Sequence, residues 1–196
     1  MGGGSSDAAS VLIGINKLFG FKLSKINLMK LGGRLGADVP FFIMDTPFAV
    51  GRRKGELLTK IDVKVKLWHL IVYPGFRLST KEIYDAYDHS PRRLTLKNGD
   101  VKIATRLRSS MDFNDIGSML HNDLEEIVTV KFKGISNIIE RLAYSLGRKV
   151  ILTGSGPSVF CIYPTGKEAI EAKKKLLGSV SARDRKGWSI FTTKTT

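Results

Sequence analysis

Cysteine is nearly absent from this chain, with one residue, Cys161, in 196. A single thiol forms no internal disulfide, so the framework of a small cystine-rich domain is excluded. The apolar neighbours of Cys161, Val159, Phe160, Ile162 and Tyr163, predict a buried strand, and a reducing, cytoplasmic setting is expected. Long apolar runs are missing too. None approaches the roughly 20 residues of a membrane-spanning helix, and no signal-peptide pattern opens the chain. There is no internal repeat and no low-complexity segment.

Acidic residues are scarce. Eighteen Asp and Glu face 32 Lys and Arg, for a formal charge of +14. Such a balance suggests a polyanionic partner, nucleic acid first. The bases, however, are dispersed over residues 52–54, 92–93, 173–175 and 183–186, and no run forms a basic tail. No RNP-like aromatic pattern, zinc-ligand spacing or helix-turn-helix signature accompanies them. A basic nucleic-acid-binding module therefore rests on charge alone. A basic surface around a small phosphorylated substrate explains the same charge, as does solubility.

What is present begins at the first residues, Met1-Gly2-Gly3-Gly4-Ser5-Ser6-Asp7. Three successive glycines disfavour helix and strand, permit positive φ and let a ligand approach bare backbone. Ala8, Val11, Leu12, Ile15 and Leu18 then recur at helical spacing up to Gly20. Ser5, Ser6 and Asp7 are all N-cap types. A glycine loop opening a helix offers free N–H groups and the positive end of the helix dipole to an anion. It is not a Walker loop, because no Gly-Lys-Ser/Thr follows, nor a dinucleotide fingerprint, because no strand precedes it. Alone, the segment reads equally as a linker or frayed tail.

Ser24 is placed to cap a second helix with Ile26, Leu28, Met29, Leu31 and Leu35 on its apolar face. Gly32-Gly33 either weakens it or admits close packing. Pro40 ends it. Residues 41–44 read as a buried strand, 47–50 and 56–61 as short strands, and 51–55 as a basic turn. Asp38, between an apolar helix and an apolar run, is either a local cap or a working carboxylate. A strong strand over residues 67–73 opens a second domain, giving domains at 1–65 and 66–196. Thr80 is read as capping a helix with Ile83, Tyr84 and Tyr87. Residues 89–100 read as loop and 101–109 as helix. Asn122 or Asp123 is expected to cap a third helix, and residues 134–146 form a fourth. Val150-Ile151-Leu152 is a strand that turns through Thr153-Gly154-Ser155-Gly156-Pro157-Ser158 into a returning strand at 159–163. That tip is wider than a two-residue hairpin and leaves backbone N–H groups free, though a plain turn is the simpler reading. A Lys-rich helix at 167–177 and a strand at 188–192 close an α+β pattern with an antiparallel or mixed sheet.

Three stretches together resemble the GHMP kinases: residues 2–9, Gly-Gly-Gly-Ser-Ser-Asp-Ala-Ala; residues 36–42, Gly-Ala-Asp-Val-Pro-Phe-Phe; and the late Gly-Ser-Gly-Pro hairpin. Asn122-Asp123-Leu124-Glu125 adds to the likeness. Within that superfamily they are most similar to the branch that phosphorylates a cytidyl-diphospho sugar alcohol in non-mevalonate isoprenoid precursor biosynthesis. Homoserine- and mevalonate-type kinases are the alternative, and residues 36–42 argue against them. The resemblance implies the GHMP two-domain α+β architecture. It comprises a partial N-terminal part like domain 2 of ribosomal protein S5 and a ferredoxin-like C-terminal domain. It implies ATP and Mg2+, with Gly2, Gly3, Gly4, Ser5 and Ser6 on the phosphates and Ser5 or Ser6 near the metal. Asp38 would be the base, Gly154, Ser155, Gly156 and Pro157 would shape the site from the other side, and Tyr84 would flank the cytidine. No nucleic acid or membrane partner is implied, and the protein is expected to be a monomer or weak homodimer. In the family the phosphate loop follows about the first third of the protein, so the chain is expected to correspond to the remaining two thirds.

Overall fold

The computed structural model describes residues 1–52, 57–90, 111–182 and 185–195. They form two compact units, one from residues 2–64 and one from residues 65–90 and 111–195. The helix read at 101–109, most of the loop read at 89–100 and part of the turn read at 51–55 lie outside the described residues.

The first unit holds α1 (Gly3–Leu18), α2 (Lys25–Leu35), α3 (Val39–Met44) and a hairpin of β1 (Ala49–Arg52) and β2 (Leu57–Lys60). Asn16 fixes the α1–α2 turn. Its amide donates to the Leu23 carbonyl at 3.2 Å, and its oxygen accepts from the Leu23 N–H at 3.0 Å. Ser24 caps α2 by accepting from the Asn27 N–H, as its residue type dictates. A small core of Ala9, Leu28, Val39 and Ile43 joins the three helices. Only part of the α1 apolar stripe faces this core. Ala8, Ala9 and Leu12 do, while Val11 and Leu18 are 58% and 78% exposed.

Residues 41–44 are helical, not a strand. Pro40 stands in the first turn of α3, where its fixed φ suits a helix and its missing N–H is one that no helix would use. Val39, Pro40 and Ile43 are then buried together at helical, not alternating, spacing. A run this short does not distinguish the two periods by itself.

Gly32 sets how closely α2 and α3 pack. A Cβ there would stand 2.7 Å from Ile43 Cδ1 and 2.9 Å from Val39 Cγ1. Gly32→Ala is expected to destabilise the unit. Overpacking costs about 1–3 kcal/mol, against at most about 1 kcal/mol gained in helix propensity. Thermal unfolding checks this, and an unchanged or raised Tm would show that Val39 and Ile43 give way.

The second unit is a four-stranded antiparallel sheet in the order β4-β5-β3-β6, with β3 (Trp68–Tyr73), β4 (Ile151–Leu152), β5 (Val159–Tyr163) and β6 (Ser189–Lys194). Leu70 on β3 pairs with Cys161 on β5 and Thr192 on β6. Its helices are α4 (Thr80–Asp88), α5 (Phe113–Met119), α6 (Glu125–Lys131), α7 (Lys133–Leu146) and α8 (Gly166–Ser179). Leu70, Val72, Val159, Cys161 and Tyr163 pack with Ile135 and Leu142 of α7 and Ala169 and Leu176 of α8. Burial pushes the Cys161 thiol and the Tyr163 phenol up from their ordinary ranges. His69 is held below its ordinary value by burial, partly offset by a backbone hydrogen bond with Thr193. No described helix is long and apolar enough to cross a membrane.

Candidate active site

The glycine-rich opening is built into α1. Gly2 is the N-cap residue with φ 66°, and the first helical bond runs from the Ser6 N–H to the Gly2 carbonyl at 2.9 Å. Gly3 and Gly4 are thus already helical, contrary to the expectation of a loop through all three glycines. The first N–H groups of α1 face no capping side chain, because Gly2 has none. A Cβ on Gly2 would sit 3.1 Å from the Phe42 ring. Gly3 and Gly4 differ, because nothing among the described residues lies within 4 Å of where their Cβ atoms would stand. Two helical glycines cost stability relative to alanine, and no packing among the described residues explains them. Bare backbone at the positive end of a helix dipole is what an anion needs in order to approach closely. No hydrogen bond engages the Ser5 or Ser6 hydroxyl among the described residues.

Asp38 stands at the N-cap position of α3, one helical turn before Phe42, against which Gly2 packs. Its side chain accepts no capping hydrogen bond and is exposed. Local backbone bonds run without it, from Val39 N–H to the Gly36 carbonyl and from Phe41 N–H to the Asp38 carbonyl. The carboxylate therefore does not do the work of a cap.

In the second unit, residues 153–158 turn between β4 and β5. Thr153 N–H donates to the Ser158 carbonyl at 2.9 Å, and Gly156 N–H to the Thr153 carbonyl at 3.0 Å. Gly154 and Gly156 have φ 57° and 81°, and a Cβ on Gly156 would press on Leu152 and Leu78. The N–H groups of Gly154 and Ser155 are left without partners among the described residues. The Ser155 hydroxyl meets that of Thr80 at 3.0 Å. Tyr84, 51% exposed, lies four residues on from Thr80 and so on the same face of α4.

These two constellations carry the three sequence stretches noted above. Residues 1–46 match the model of the GHMP kinases N terminal domain, and residues 104–180 match that of the GHMP kinases C terminal. The chain belongs to the GHMP kinases. A curated relative from Geobacter metallireducens, a 4-diphosphocytidyl-2-C-methyl-D-erythritol kinase, is 40% identical over 180 residues, 91% of this chain and 60% of its own length. A solved 4-(cytidine 5'-diphospho)-2C-methyl-D-erythritol kinase matches with TM-score 0.67 and 25% identity, covering 97% of this chain and 65% of that one. A homoserine kinase from Cytophaga hutchinsonii matches with TM-score 0.69 at 21% identity, over 96% of this chain and 64% of its own, a likeness of fold alone. The chain thus spans about 60% of the curated relative's length.

Within this GHMP kinase chain, sequence reading missed three contributors. Ser79, not Thr80, caps α4, accepting from the Glu82 N–H at 3.2 Å, which leaves Thr80 free to meet Ser155. The Ser79-x-x-Glu82 spacing was the available signal, since it is the pattern of a capping box. Asn122 and Glu125, both within the family-like tetrapeptide, bond to the backbone around the second turn, and nothing in the sequence said where they would point. No group of three or more His, Cys, Asp or Glu side chains gathers as a metal site among the described residues.

Proposed function

We propose that this GHMP kinase chain serves the ATP-dependent phosphorylation of the 2-hydroxyl of 4-diphosphocytidyl-2-C-methyl-D-erythritol, in non-mevalonate isoprenoid precursor biosynthesis. The observation that carries the reading is the N-terminus of α1, with uncapped N–H groups and two helical glycines that no packing among the described residues requires. It supports a phosphate cradle, and the names of the curated relatives support this acceptor over homoserine or mevalonate. Residues 1–65 would be the remainder of the ATP-binding domain and 66–196 the C-terminal domain.

The roles follow from the chemistry. Phosphoryl transfer asks for positioning, charge neutralisation and a carboxylate at the nucleophile. Gly2, Gly3, Gly4 and Ser5 hold the phosphates through backbone N–H groups, and Ser6, whose N–H is bonded to the Gly2 carbonyl, contributes its hydroxyl. Asp38, free of any capping duty, accepts the proton of the attacking hydroxyl. The donor set fits a metal carried by nucleotide phosphates and not a protein cage. Mg2+ keeps most of its ligands from water and phosphate, so a Ser5 or Ser6 hydroxyl suffices beside it. The bound ion would neutralise phosphate charge. Gly154, Ser155, Gly156 and Pro157 shape the acceptor side, and Tyr84 flanks the cytidine. A cytoplasmic protein without nucleic acid partners, monomeric or weakly dimeric, fits these roles.

The test is coupled ADP release by the longest reading frame containing this chain, with the cytidyl acceptor, homoserine and mevalonate in parallel. Turnover with the cytidyl acceptor alone is expected. Preference for either other acceptor would overturn the assignment.

A further inference from the structure

Asn122 precedes α6 and reaches across to the second glycine turn. Its amide nitrogen donates to both the Leu152 carbonyl at 2.7 Å and the Gly154 carbonyl at 2.8 Å. Its oxygen accepts from the Leu124 N–H at 3.0 Å, so the amide orientation is fixed at both ends. At the first residue of α6, the Glu125 carboxylate accepts from the Leu152 N–H at 2.7 Å. Two side chains from one tetrapeptide thus hold the last residue of β4 and the first glycine of the turn. The hydroxyl pair of Thr80 and Ser155 ties the tip of the turn to α4. The Gly154 and Ser155 N–H groups of the turn have no partner among the described residues, and both residues are at least partly exposed.

We propose that Asn122 and Glu125 are positioning residues that set the second glycine turn so that its free N–H groups and the Thr80–Ser155 hydroxyl pair face the acceptor substrate, not ATP. The inference rests on the kinase reading above. The link to the acceptor comes from α4, which carries both Thr80 and the exposed Tyr84 on one face. A clamp made of hydrogen bonds to carbonyls and an N–H holds backbone without touching substrate. Its loss therefore shows as misplacement. A displacement of about 1 Å in a positioning element costs roughly 100-fold in rate.

The experiment uses the 196-residue chain for amide exchange and the longest reading frame containing it for kinetics. The variants are Asn122→Ala, Glu125→Ala and Glu125→Gln. Asn122→Ala and Glu125→Ala are expected to lose roughly tenfold to a hundredfold of exchange protection at Thr153 and Gly156. Both are expected to raise KM or lower kcat for the cytidyl acceptor, with KM for ATP unchanged. Glu125→Gln keeps an acceptor oxygen for the Leu152 N–H and is expected to stay within about threefold of wild type. The proposal is overturned if turn protection is unchanged in both alanine variants. It is overturned equally if KM for ATP shifts along with the acceptor, or if glutamine and alanine at 125 behave alike. If the wild-type enzyme phosphorylates no cytidyl acceptor, the kinase reading fails, and the exchange data alone then decide whether the clamp sets the turn.

Discussion

Replacing Asp38 by asparagine is expected to abolish turnover while leaving the fold and the affinity for ATP nearly intact. Asp38 caps nothing: its carboxylate has no hydrogen bond to the first N–H groups of α3, and it is exposed. Surface substitutions of that kind change stability by no more than about 0.5 kcal/mol. The residue lies outside both glycine turns, so the phosphates do not depend on it. What the amide lacks is the ability to take a proton and the charge that orients the hydroxyl. General-base assistance contributes about 10²–10⁴-fold, and the loss should appear in kcat and not in KM for ATP. Melting temperature, ATP affinity and kcat on one preparation check this. A less stable but fully active variant would make Asp38 a structural residue.

The second large effect concerns Gly3 and Gly4, where stability and binding should move in opposite directions. Nothing among the described residues lies within 4 Å of the Cβ position at either residue, and both are helical. The Gly3→Ala, Gly4→Ala double variant is therefore expected to unfold at a higher temperature, with up to about 1 kcal/mol gained per site. The same methyl groups occupy the space through which a phosphate reaches the N–H groups at the head of α1. Hydrogen bonds to a charged group contribute about 1.5–3 kcal/mol each, so losing one or two weakens ATP by at least about tenfold. Calorimetric titration of the nucleotide alongside thermal unfolding separates the two terms. A variant that is stabilised and still binds ATP normally would remove the cradle from the account. Gly2 is no substitute in this test, because its positive φ and its contact with Phe42 make it structural as well.

Much of this was legible in the residues. An antiparallel or mixed sheet followed from apolar strands separated by glycine and proline turns, and the pairings make it antiparallel throughout; the burial of Cys161 followed from its neighbours. Ser24 capped its helix as its residue type dictates. The helix at Val39–Met44 was not legible, because four apolar residues fit either period and only the packing of Val39 and Ile43 against Gly32 decides between them. The short helix Phe113–Met119 also escaped notice, although Asp112 and Asp115 form a reciprocal capping box at its start. The candidate site divides the same way. The glycines and Asp38 stand out by residue type and spacing. Asn122 and Glu125 act through side chains that reach residues 27 to 32 positions away, and a partner at that separation is set by tertiary structure.

The most direct test of the central claim follows the γ-phosphate itself. Incubating the longest reading frame containing this chain with the cytidyl acceptor and ATP labelled in the γ-phosphate should give one labelled product, a monophosphate ester at the 2-hydroxyl, and unlabelled ADP. The Asp38→Asn enzyme, binding ATP as tightly, should give none within the same time. Label appearing as free phosphate, label on homoserine or mevalonate in preference, or equal transfer by the Asp38→Asn enzyme would contradict the account.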